Sequence, residues 1–179
     1  MTWSHGALAG VAKSWKANGE PDYVGTYVAN VRHGLWTYYG HDLGPLIRIE
    51  GMVVEGYNQG PWKGTYEASG NKESELVYSY NEINGPFVQW HDNGQEAAAG
   101  LYVSNLRHGA WLFHYDNGQV WVSAHYYYGQ LDGEYEEYYP DGKPKAKGSF
   151  GATSTWMFWD ENGMLTSCGP VGWAYMVCP

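Results

Sequence analysis

The sequence predicts an all-β protein: an elongated, curling antiparallel sheet of about seven tandem β-hairpin repeats. Three observations carry this reading. Gly-x-aromatic triplets place aromatic residues at Trp36, Trp62, Phe87, Trp111 and Tyr135, with Trp156 following, at spacings of 26, 25, 24, 24 and 21 residues. The stretches from Asn30 to Trp36 and from Asn105 to Trp111 differ at two of seven positions and lie 75 residues apart. Each copy then runs into a turn pair, as at Asn93-Gly94, Asn117-Gly118, Asp141-Gly142 and Asn162-Gly163. A fixed period of this size is the mark of a repeat architecture.

Taken in order, residues 1–9 read as an N-terminal extension and residues 10–168 as one repeat domain. Its units start near 10, 34, 60, 85, 109, 133 and 154, the first being a divergent copy with Trp15 and Asn18-Gly19. The first strand of a unit alternates with period two: Trp111, Phe113 and Tyr115 on one face, Leu112 and His114 on the other. Asn-Gly and Asp-Gly then suit tight type I′ turns, which need two residues at positive φ. A second strand follows at Gly25, Gly51, Gly100, Gly148 and Gly169. Residues 7–16 and 95–101 carry weak helical signals, and the repeat is expected to override them. Residues 169–179 are uncharged and break the pattern, reading as an apolar cap on the last hairpin or as an assembly strand.

Composition narrows the function. The 179 residues hold 10 Lys and Arg against 19 Asp and Glu, a formal charge of -9. That argues against nucleic acid, which calls for a basic patch, and against anionic lipid. No apolar run approaches the ~20 residues of a membrane-spanning helix. Leu, Ile, Val and Phe total 30 residues whereas Trp, Tyr and Phe total 31, so the core must be built largely from rings. No signal segment is visible at the start, which suits the cytoplasm. Cys168 and Cys178 are either two idle thiols or a disulfide pinning the tail, and a disulfide would suit a secreted or surface location.

Catalytic chemistry is not legible. No nucleophile elbow or phosphate loop occurs. His33 and His108 recur because the repeat does, Glu134 and Glu136 read as a solvated pair of like charges, and no metal-ligand spacing emerges. The expectation is no catalytic residue, no metal and no cofactor. What remains is a candidate aromatic and anion-binding face: Trp36, Tyr39, Trp62, Trp90, Trp111, Tyr115, Tyr135, Tyr139, Trp156 and Trp159, with the corners Arg32-His33 and Arg107-His108. Packing of the sheet is the competing account of the tryptophans.

The stretch from Gly129 to Gly142 follows the pattern Gly-x-Trp/Tyr-x-x-Tyr-x-x-Asn/Asp-Gly and resembles a MORN-type repeat, in the bacterial variant common in antitoxin-like and surface-associated proteins. Copies from 85 to 150 follow the pattern closely and those from 34 to 84 loosely. The resemblance implies a non-enzymatic binding or scaffold module, with a toxin or effector as one partner class; a basic protein would suit the negative charge. The alternatives are a structural protein that self-associates through sheet edges or its tail, and a carbohydrate or membrane-surface binder.

Overall fold

The computed structural model describes residues 2–4, 7–40, 46–151 and 155–170. They form β-strands and turns, with no helix among them. The chain divides into two compact units, Met1–Gly94 and Gln95–Pro179. In the first, β1 (Thr2–Ser4), β2 (Ala7–Trp15), β3 (Pro21–Val28), β4 (Val31–Gly40), β5 (Ile47–Val54), β6 (Tyr57–Tyr66), β7 (Lys72–Ser79) and β8 (Glu82–Trp90) lie side by side in chain order. The second holds β9 (Glu96–Val103), β10 (Leu106–His114), β11 (Val120–Tyr127), β12 (Gln130–Tyr138), β13 (Pro144–Phe150), β14 (Thr155–Trp159) and β15 (Leu165–Pro170), again in chain order. The two segments with helical propensity, 7–16 and 95–101, are strand from Ala7 to Trp15 and from Glu96 onward. Within residues 1–9, Thr2–Ser4 pair with Ala7–Ala9 in antiparallel register.

The Gly-x-aromatic triplet has a geometric cause. Between Val24 and Thr26 of β3 lies one residue, Gly25, while the paired positions Thr37 and His33 of β4 are separated by Gly34, Leu35 and Trp36. The same two-residue surplus recurs on β6, β8, β10 and β12, each time containing the triplet glycine. Gly34, Gly60, Gly85, Gly109 and Gly133 all have positive φ, between 69° and 134°. Such backbone suits glycine, and the bulge bends the strand and re-aims the side chain that follows. The re-aimed ring comes down on the preceding strand.

What it meets there is size-matched. Trp36 covers Gly25, Trp62 covers Gly51, Trp111 covers Gly100 and Trp156 covers Gly148; a methyl group on any of these glycines would sit less than 3.0 Å from ring atoms. Where the ring is smaller the opposing residue has a side chain: Phe87 faces Leu76 and Tyr135 faces Ala124. In each unit these residues form a row across the strands, and the row supplies most of the core. Ala12, Trp36, Trp62, Leu76, Trp111, Ala124 and Trp156 are all buried. Each enclosed indole removes ~150–250 Å² from water, a gross gain of about 4–6 kcal/mol.

The two kinds of turn are the reverse of the sequence reading. At Asn18-Gly19, Asn117-Gly118 and Asp141-Gly142 only the glycine has positive φ. The glycine N–H donates back three residues, as from Gly118 to the Tyr115 carbonyl at 3.0 Å. The Asn or Asp oxygen accepts from the backbone two residues on, as from Gln119 N to Asn117 Oδ1 at 2.9 Å. The ladder slips beside these turns, between Ser14 and Trp15 and between Phe113 and His114. This is a type I turn closed by a left-handed glycine bulge, stabilised by the Asx side chain. Consecutive positive-φ pairs occur at the opposite ends of the strands, at Ala29-Asn30, Glu55-Gly56, Tyr80-Asn81, Ser104-Asn105 and Tyr128-Gly129.

Candidate functional site

The central tryptophans of the candidate face are core. Trp36 and Trp111 are each 1% exposed, and Trp62 and Trp156 are also buried, so none of the four is open to a ligand. The triplet that marks them in the sequence is the device that buries them. Tyr39, Trp90, Tyr115, Tyr135, Tyr139 and Trp159 are half-buried. Two of these serve as ties between copies: Tyr115 Oη donates to the Tyr138 carbonyl and Tyr139 Oη to the Trp159 carbonyl, each at 2.9 Å. Tyr66 makes the equivalent bond to the Trp90 carbonyl.

The two Arg-His corners differ. Arg32 lies 5.5 Å from the Trp36 ring centre and donates from Nη1 to Tyr38 Oη and from Nη2 to the Gly56 carbonyl, both at 2.7 Å. Arg107 lies over Trp111, Phe113 and Tyr126. His33 is exposed, whereas His108 is half-buried and packs its ring against Tyr127 and Tyr128 at 5.6 and 4.8 Å. Cys168 is disulfide-bonded; Cys178 and the tail 171–179 lie outside the described residues.

A charged cluster lies on β12 and β13. Tyr135 Oη donates to Glu137, which Lys145 also holds at 2.7 Å. Tyr138 donates to Glu136, itself paired with Lys147. Burial and the neighbouring Glu137 push the Tyr135 phenol up to about 12. The bond to Glu136, then burial, does the same for Tyr138. Lys147 and Tyr138 hold the Glu136 carboxyl below its ordinary range. These acids are satisfied by hydrogen bonds and salt bridges. No group of three His, Cys, Asp or Glu placed to hold a metal ion occurs among the described residues.

Residues that the sequence reading did not single out stand at the positive-φ turns. Tyr80, at φ 50°, is 67% exposed, and Tyr128, at φ 45°, is 47% exposed. A bulky side chain in the left-handed region is uncommon and strained. Tyr80 meets Tyr57 edge to face at 5.6 Å, and Tyr127 meets Tyr128 the same way at 4.8 Å. Val28, Val31, Val54 and Tyr57 are exposed along the same end of the first unit, and Leu106 in the second. Successive turns are stitched together in each unit, with Gly56 N donating to the Arg32 carbonyl and Gly129 N to that of Arg107. Exposed Glu55 and Glu82 flank the tyrosines of the first unit. The sequence signal was there: Tyr80 and Tyr128 directly precede Asn81 and Gly129, residues that tolerate positive φ.

Residues 107–126 and 131–151 each match the family model of the MORN repeat variant. Those matches cover most of β10 and β11, then most of β12 with all of β13, and support a MORN-type repeat over that part of the chain. Repeats of this kind are generally protein- or membrane-binding modules and are typically non-enzymatic. No helix of the described residues is long and apolar enough to cross a membrane. No curated protein matches the chain.

Proposed function

We propose that this chain, with its MORN-type repeats, is a non-enzymatic binding module that engages a protein partner through the aromatic positive-φ turns that each unit carries at one end of its own strands. The observation that carries the reading is the pair Tyr80 and Tyr128, exposed rings kept at strained backbone positions that Asn or Gly would fill without strain. Strain of this kind collects at functional sites. Tyr is a favoured interface anchor, and contiguous exposed rings favour contact. Glu55 and Glu82 beside Tyr57 and Tyr80, with the overall charge of -9, favour a partner with a basic rim. A toxin or effector protein that the module neutralises or tethers is the partner class suggested by the antitoxin-like resemblance.

The test is a photo-crosslinking residue placed at Tyr80 or Tyr128 in the source cell, with a control at Asn117 on the opposite turns. One discrete heterologous adduct from positions 80 and 128, absent at 117, is the expected result. Adducts equal at all three positions would reject these turns as the site. Adducts consisting of the chain itself would replace the reading by self-association.

A further inference from the structure

Between residues 95 and 170 the chain has four cationic Lys or Arg side chains and nine Asp and Glu residues. All three lysines are ion-paired: Lys143 with Asp141 at 2.8 Å, Lys145 with Glu137 at 2.7 Å, and Lys147 with Glu136. Among the described residues of this unit, Arg107 alone has no carboxylate partner despite the surplus of acids. Its guanidinium is instead fixed by rings, 4.9 Å from the Trp111 centre, 5.1 Å from Phe113 and 5.6 Å from Tyr126. Arg107 Nε is buried without a hydrogen-bond partner, and among the described residues no hydrogen bond or salt bridge is made by its Nη groups.

The equivalent arginine of the first unit is held differently. Arg32 spends both Nη groups on Tyr38 Oη and the Gly56 carbonyl. Tyr38 stands two residues after Trp36, and the residue two after Trp111 is Phe113, which has no hydroxyl to accept. The phenol oxygen that takes one Nη group of Arg32 thus has no counterpart beside Arg107.

We infer that Arg107 is a carboxylate-binding residue, its Nη edge taking both oxygens of an Asp or Glu side chain of a protein partner. The inference rests on the protein-binding reading above. A guanidinium is weakly hydrated and its planar fork matches a carboxylate bidentately. The rings remove water from one of its faces and offer a surface to the apolar atoms beside the carboxylate. A single cation in an acid-rich unit suits a monoanion; a phosphate dianion would meet the surplus negative charge with one counter-charge.

The experiment follows the Arg107 Nε–H NMR resonance of the full chain, and its tryptophan fluorescence, during titration with acetyl-Phe-Glu-amide, acetyl-Phe-Gln-amide and inorganic phosphate at matched ionic strength. The Glu probe should give saturable shifts at Arg107 and none at Arg32. Binding should weaken about tenfold or more for the Gln probe and in Arg107→Lys, which keeps the charge and loses the fork. Equal response to the Gln probe, binding unchanged in Arg107→Lys, or phosphate binding as tightly as the Glu probe would each overturn the inference. Photo-adducts at Tyr80 and Tyr128 report separately: if they persist while the Glu probe fails to bind, the carboxylate site falls and the protein-binding reading stands.

Discussion

The indole of Trp111 rests on Gly100 so closely that a methyl group there would come within 3.0 Å of three ring atoms. The contact couples two residues eleven apart in sequence, and it is repeated wherever a tryptophan begins a copy. Gly100→Ala should therefore destabilise the chain by about 1–3 kcal/mol, read from urea denaturation. Combining it with Trp111→Tyr recreates the Ala124-Tyr135 pairing and should return part of that loss. Strict additivity of the two changes would refute size matching.

Glu55 occupies the first positive-φ position of its turn, with φ 50° and an exposed side chain. Glu55→Asn creates Asn-Gly, the dipeptide best suited to a type I′ turn. The melting temperature should rise, corresponding to about 0.5–1 kcal/mol. A fall would show that Glu55 is held there by something other than the turn.

The two arginines should separate in a stability assay. Arg32→Ala removes two charge-assisted bonds and should cost about 1.5–3 kcal/mol. Arg107→Ala removes ring contacts alone and should cost about 0.5–1 kcal/mol. Equal losses in denaturant titrations would mean that Arg107 is as structural as Arg32.

Tyr135 and Tyr138 make the fold sensitive to alkali. Burial raises the first phenol and the bond to Glu136 the second, each to about 12 from the ordinary 10.0. Between those values the folded chain binds more protons than the unfolded one. Their contribution is complete below pH 10 and is lost as the pH rises through about 12. Wild-type chain should lose stability over that window, and a Tyr135→Phe, Tyr138→Phe variant should lose less, measured by denaturation at matched pH.

Fold and site were not equally legible in the sequence. The triplet Gly109-Ala-Trp111 announces a strand because bulge and ring placement are local and recur with the period. The same local rule misled at Asn117-Gly118, where the dipeptide suits two turn types and the Asn117 side chain selects the one with a single positive φ. At the tryptophans it left packing and binding both open, and the motif that makes Trp36 conspicuous is the one that covers it. Tyr80 and Tyr128 escaped because their exposure depends on which end of a strand carries the paired positive-φ turn, and period-two alternation is silent on that. Arg107 was marked as part of an anion-binding corner, but its contrast with Arg32 needed the phenol of Tyr38 in place.

Within each unit every strand's neighbours in the sheet are its neighbours in the chain. A polypeptide wired this way closes only short loops as it organises, which favours quick, stepwise zippering from whichever hairpin forms first. It can also be lengthened or shortened by one copy of about two dozen residues with the remaining ladder re-joining. The number of copies, and with it the number of turn positions carrying a tyrosine, is thereby adjustable without inventing a new fold.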